Sequence, residues 1–169
     1  MPTDSDTATP IRLGPATVRP EWIDYNGHMN IAYYVAAFDA ALEEFYNGIG
    51  FDAAYRESTG NSSMTLELHI NYLREIFEGE QYMMDVLVLG TDTKRTHYFC
   101  TMRRAETDDV CATFEAMIIH VSLTARRSSP MPDWLREKFE ALARDHAGIA
   151  RPSQVGRSIG APLKPGHKS

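Results

Sequence analysis

Seven consecutive residues, Asp24-Tyr25-Asn26-Gly27-His28-Met29-Asn30, hold a carboxylate, a glycine, a histidine and two asparagines immediately ahead of an apolar helical pattern. A helix N-terminus carries unpaired N–H groups and a partial positive charge, so it can hold an oxygen that becomes negative during a reaction. Gly27 lets the chain turn sharply or lets a ligand approach the backbone, and Asp24 can then face whatever the helix end polarises. A carboxylate opposite an oxyanion hole is a hydrolytic pair. A thioester suits so sparse a site: its carbonyl is more electrophilic than an ester's, and a thiol with a pKa of roughly 8.5 departs without a strong general acid.

Other hydrolytic devices are missing from the sequence. The one GxSxG match, Gly156 to Gly160, lies isolated in the polar tail with no strand before it or helix after it, so it is no nucleophile elbow, and no cysteine lies in an electropositive loop. His28, His69, His97 and His120 fall in no HExxH or HxH spacing, so neither a metal nor a cofactor is expected. Each residue also has a plain structural reading. Asp24 and Asn26 are common turn formers, His28 can cap or pack, and Asn30 is a natural N-cap. Glu67 and His69 share a strand face that can simply be solvated or paired, and Glu115, in an apolar run, needs a partner if buried near the same pocket.

The elements around these residues are legible from periodicity. Ile31, Tyr34, Val35, Phe38, Leu42 and Phe45 draw one stripe and predict a helix over 30–47, roughly 27 Å long, capped by Asn30 and stopped by Gly48. Such a helix needs a sheet to cover it. A short strand precedes it, and in 64–73 Met64, Leu66, Leu68, Ile70 and Tyr72 alternate with Thr65, Glu67, His69 and Asn71, the pattern of a strand with one polar face. Strands are also expected at 81–89, 95–104 and 110–123, with turns at 90–93 and 106–109, giving an antiparallel meander. After Pro130 and Pro132, Asp133 can cap a last helix that carries Leu135, Phe139 and Leu142, ends by Gly148 and packs on a sheet edge. This order describes an α+β layer with the sheet wrapped on the helix and excludes a doubly wound parallel sheet.

With 169 residues, 43% of them hydrophobic, the chain suits one domain, read as 11–150 between polar tails at 1–10 and 151–169. The net charge of −6 and scattered basic pairs argue against nucleic acid or an anionic membrane as partner. No signal segment or membrane-length apolar run is visible, so a cytoplasmic protein is expected. Cys100 and Cys111 read as buried free thiols, although they could face each other across a hairpin.

Asp24, Gly27, His28, Asn30 and a tyrosine at 33 or 34 resemble the Asp-x-x-Gly-His-x-Asn motif of hotdog-fold thioesterases of the 4-hydroxybenzoyl-CoA thioesterase type. The resemblance covers about residues 15 to 125 and implies a hotdog fold, an antiparallel sheet around one long helix. It also implies that Asp24 is the catalytic carboxylate, as nucleophile or general base, with His28 and Asn30 beside it and backbone N–H groups near Ile31 holding the thioester oxygen. Coenzyme A is then part of the substrate. The sites would sit between subunits of a homodimer or homotetramer, with Lys94, Arg95, Arg126 and Arg127 as candidates for the CoA phosphates.

Within that family, the segments DYNGHMNIAYYVAAFDAALEEF, ELHINYLREIFEGE, KRTHYF and ATFEAMIIHV are most similar to the betainyl-CoA thioesterases of carnitine breakdown. A trimethylammonium acyl group cannot donate a hydrogen bond and favours aromatic faces. Trp22, Tyr25, Tyr33, Tyr72, Tyr98 and Phe99 offer such faces unless they are core, with Glu67 or Glu115 as counter-charge. Three other readings stay open: a thioesterase for another short or aromatic acyl-CoA, a non-catalytic acyl-CoA-binding module, and a hydratase that would pair His28 with Asp24.

Overall fold

The computed structural model describes residues 8–160. The long helix α1 spans Ile31–Ile49, and the Asn30 side chain caps it by accepting the Ala32 N–H at 3.0 Å. Tyr34, Ala37, Phe38, Ala41, Leu42, Phe45 and Tyr46 are buried along one face, as the three-and-four spacing requires. The helix runs past Gly48 and stops at Gly50, whose φ of 83° is the left-handed turn a side chain resists. A second helix, α2 (Ala53–Thr59), is absent from the sequence reading. Its seven residues bury only Tyr55, so no periodic stripe announces it, although Asp52 caps it by accepting the Tyr55 N–H at 2.9 Å.

The strands are β1 (Ile11–Thr17), β2 (Asn61–Tyr72), β3 (Gln81–Thr91), β4 (Arg95–Arg104), β5 (Val110–Ser122) and β6 (Arg127–Ser128). All pairs are antiparallel in the order β1-β3-β4-β5-β2, with the short β6 beside the end of β5. Strands β3 to β5 form the expected meander, but β2 does not join it. Residues 73–80 carry the chain across to the other edge, so β2 closes the sheet against β5 and β1 takes the place beside β3.

Val86, Val88, Tyr98, Cys100, Met102 and Phe114 join the helix stripe in one core. Phe38 stacks on Phe114 at 4.7 Å between ring centres, and Phe45 meets Tyr98 edge-on at 6.0 Å. Each such buried ring contributes about 1.5–3 kcal/mol relative to an exposed one. This is the hotdog arrangement, with the core between α1 and the sheet.

Two details correct the strand reading. A register shift between Thr65 and Glu67 leaves Leu66 unpaired, a β-bulge that reverses the alternation on its N-terminal side. Leu68, Ile70 and Tyr72 keep the helix side, opposite Ala116, Phe114 and Ala112, whereas Met64 pairs with Ile119 and shares an outer-face cleft with Leu66. The last helix, α3 (Asp133–His146), has Pro132 rather than Asp133 at its N-cap. It buries Leu135 and Phe139 and covers β3 where β1 has ended: β1 pairs as far as Val86, and His146 Nδ1 accepts the Val88 N–H at 2.9 Å. That is the edge packing expected.

Both cysteines are free and buried, and burial pushes the Cys100 thiol up to about 12. Residues 156–158, read as part of the tail at 151–169, do not run free. They lie on the outer sheet face, where the Gly156 N–H donates to Glu115 Oε2 at 2.8 Å. Among the described residues no helix is long and apolar enough to cross a membrane.

Candidate active site

The loop ahead of α1 is closed by an antiparallel bridge between Ile23 and Met29. Within it the Gly27 N–H donates to Asp24 O at 2.9 Å and the Asp24 N–H to His28 O at 3.1 Å. Gly27 sits at φ 83° with open space where a Cβ would stand, so it serves the turn and not a close approach by a ligand. The half-buried Asp24 carboxylate accepts the Asn26 N–H at 2.8 Å on Oδ1 and Asn30 Nδ2 at 3.2 Å on Oδ2. The Asx-turn and the carboxylate site therefore coexist.

Asn30 joins the two halves of the site. Its amide NH2 holds Asp24 and its amide oxygen holds the Ala32 N–H, while its backbone carbonyl accepts the Tyr33 N–H at 3.0 Å. This leaves the Ile31 N–H as the open donor at the helix end among the described residues. Ile31 itself is 62% exposed.

A cavity of about 260 Å³ opens beside this helix end, walled by His28, Ile31, Tyr34, Tyr72, Arg74 and Glu75. Asp24 is not one of its walls. Tyr72 hydroxyl donates to Ile31 O at 3.4 Å, and its ring meets Tyr34 edge-on at 5.2 Å. Burial pushes the Tyr34 phenol up to about 12, so it stays neutral. The motif tyrosine that reaches the cavity is thus Tyr34. Arg74 and Glu75 come from the irregular connection after β2, where no periodicity marked them. His28 turns Nδ1 to Met29 O at 3.2 Å and Nε2 towards Glu75 at 3.7 Å, so the His28–Asp24 pair a hydratase would need is not formed.

The remaining candidates are dispersed within one protomer. Trp22 stacks on Tyr33 at 5.6 Å with the Arg19 guanidinium over its ring at 5.3 Å, so the pair is already engaged. Tyr25 is 96% exposed. Tyr98 lies in the core under α1 and Phe99 is buried on the opposite face of β4, so neither presents a face to this cavity. Glu67, His69, His97 and Glu115 do gather, but on the outer face of the sheet, around a separate cavity of about 300 Å³. Alternation along the strands sends these side chains away from α1. Glu115 is also committed, to His97 Nε2 at 2.8 Å and to Gly156 N–H at 2.8 Å, which removes it as a counter-charge at the helix end.

Lys94 ends the β3–β4 turn and Arg95 opens β4, where it pairs with Asp92 at 2.6 Å. Arg126 and Arg127 follow β5 and rim a cleft of about 370 Å³ with Met64, Leu66, Ile119 and Val121. All four basic residues stand at the end of the sheet remote from Asp24, roughly 30 Å away by the length of the strands. Among the described residues no cluster of His, Cys, Asp or Glu suited to a metal occurs.

A family model described as the thioesterase-like superfamily matches residues 18–139. The betainyl-CoA thioesterase of Pseudomonas aeruginosa is 39% identical over 145 residues, 86% of this chain and 91% of that protein. The L-carnitine dehydrogenase/betainyl-CoA thioesterase of Rhizobium meliloti is 36% identical over 92% of this chain, which spans 31% of that longer protein. A Staphylococcus aureus protein solved in complex with CoA superposes with a TM-score of 0.86 at 27% identity, covering 95% of this chain and 100% of that one.

Proposed function

We propose, for a chain that belongs to the thioesterase-like superfamily and is a thioester hydrolase, that the ester it cleaves is betainyl-CoA, released as glycine betaine and free CoA. The observation that carries the chemistry is the double role of Asn30, which ties the Asp24 carboxylate to the N-terminus of α1 in one hydrogen-bonded unit. In this reading the thioester oxygen sits on the Ile31 N–H, where the helix end stabilises the charge it gains in the tetrahedral intermediate. Asp24 either takes the proton of an attacking water or attacks the carbonyl itself to form an anhydride that water then hydrolyses, and in both routes the thiolate departs without an acid.

The enzyme works as a homo-oligomer. Strand β2 is a sheet edge with Met64, Leu66, Leu68 and Tyr72 exposed, next to exposed Ile31 and Val35 at the start of α1, a surface that a lone chain leaves wet. A second copy of the chain pairing antiparallel along β2 covers it. With the two-fold near Glu67, at the middle of the exposed run, Tyr72 falls opposite Ser62 of the partner subunit. Each Asp24 end then meets the basic end of the other copy, so Arg126 and Arg127 with their apolar cleft serve the CoA nucleotide across the interface.

The test is release of free thiol from a panel of acyl-CoA esters by the purified protein. Fastest turnover of betainyl-CoA is expected. Preference for an uncharged short or aromatic acyl group would discard the substrate and keep the chemistry, and tight ester binding without thiol release would assign an acyl-CoA-binding role instead.

A further inference from the structure

A second polar cavity lies on the helix side of the sheet, about 230 Å³ in volume, with Asp39, Glu43, Tyr46, Arg56, Ser63 and Thr65 in its walls. It sits under the middle of α1 and against the N-terminal half of β2, away from the cavity at Ile31. Arg56 neutralises Glu43 through contacts of 2.5 and 3.4 Å, whereas Asp39 has no ion-pair partner among the described residues. The cavity therefore carries one uncompensated negative charge. Its floor holds Tyr46, 6% exposed, with a buried hydroxyl that makes no hydrogen bond of good geometry and has Tyr98 and Ser63 as polar neighbours. Neighbouring rings hold Tyr46 in place, Phe51 at 5.0 Å and Tyr98 at 6.2 Å, so it does not swing out to water. The lone pairs of its hydroxyl oxygen are therefore uncommitted and can face a cation.

We propose that this cavity, through Asp39 and Tyr46, receives the quaternary ammonium of the acyl group whose thioester is held at the Ile31 end of the second copy in the dimer. The inference rests on the betainyl-CoA reading above. A quaternary ammonium offers no N–H, so it is recognised by charge and by the negative rim of oxygens around its methyl groups. One free carboxylate, a phenol oxygen and the hydroxyls of Ser63 and Thr65 supply that rim.

The second copy is required by distance. Asp39 lies eight residues beyond Ile31, about 12 Å along the helix axis, while a single methylene separates the ammonium from the carbonyl in this acyl group. The chain's own Ile31 end is out of reach. Antiparallel pairing about Glu67 solves this, because Tyr72, which touches Ile31, then lies opposite Ser62, which borders the Asp39 cavity.

The experiment compares kcat/KM for betainyl-CoA with that for 3,3-dimethylbutanoyl-CoA, its neutral isostere, in wild type, Asp39→Asn and Tyr46→Phe. Wild type should favour the cationic ester, and Asp39→Asn should lower that ratio about tenfold or more through KM. Tyr46→Phe removes the phenol oxygen while keeping the buried ring and should lower the same ratio. Mixed dimers of Asp24→Asn and Asp39→Asn chains should regain betainyl-CoA turnover, since one of their two sites then holds both carboxylates. A wild-type enzyme selective for the cation whose selectivity survives Asp39→Asn overturns the cavity alone. A lowered ratio without regain in mixed dimers overturns the assignment across the interface, and a wild type that prefers the neutral ester overturns the substrate and the cavity together.

Discussion

In the proposed mechanism the Asn30 side chain serves folding and chemistry together. Removing it as Asn30→Ala deletes both the cap and the grip on Asp24. We expect a loss of about 1 kcal/mol, a Tm lower by about 2–4 °C, and turnover reduced by about tenfold or more because Asp24 is no longer aimed. Asn30→Asp keeps a capping oxygen but sets a second carboxylate against Asp24, so stability should return and turnover should not. Thermal melts beside thiol release check both, and an Asn30→Ala enzyme with full turnover would detach the cap from the site. Asp24 to Asn30 was legible because its geometry is local, a turn leading into a helix. Tyr98 and Phe99 were not, since adjacent strand residues face opposite sides and neither side opens on the cavity. The Asp39 cavity gave no signal in the sequence, because a buried tyrosine in a helix stripe reads as core whether or not its hydroxyl has a partner.

Helix α3 and strand β5 each carry a histidine whose protonation state the fold depends on. His120 is 3% exposed, with Nε2 beside Tyr55 hydroxyl at 2.9 Å and Nδ1 beside Ser129 O at 3.0 Å, and His146 Nδ1 accepts the Val88 N–H. Burial holds both below the ordinary histidine value. The unfolded chain takes up these protons near pH 6.5 and the folded chain only at lower pH, so the unfolded state binds more protons in between. Their contribution to stability is full above about pH 6.5 and is lost as the pH falls towards the folded values. We expect the Tm to decline from about pH 7 to pH 5, and His146→Gln, which keeps an acceptor without a titrating ring, to flatten that decline. An unchanged slope in the variant would refute the assignment for His146. At this scale the periodic elements α1, β3, β4 and β5 were readable to within two residues. Helix α2 was too short to show a stripe, and the β2 bulge was invisible because alternation continues across it in the sequence while the register shifts in space. Where β2 sits was also hidden: strand order depends on the route of residues 73–80, which have no pattern of their own.

In the proposed dimer each edge strand β2 finds its partner in the other copy. Lysine at exposed Leu66 and Leu68 would charge that edge without touching the core. Leu66→Lys/Leu68→Lys should therefore sediment as a folded monomer and lose turnover, because the basic residues sit at the far end of its own sheet. A monomer with full activity would contradict a shared site. In the proposed mechanism the Asp24 carboxylate, held at the end of α1, hydrolyses a cationic acyl thioester. The most direct test of this claim is thiol release from betainyl-CoA by wild type and by Asp24→Asn, with thermal melts of both. The amide still accepts the Asn26 N–H, so the turn persists, and the result expected is a Tm within about 2–4 °C of wild type with turnover lower by about 100- to 10,000-fold. An Asp24→Asn enzyme that melts like wild type and keeps its turnover would contradict the claim.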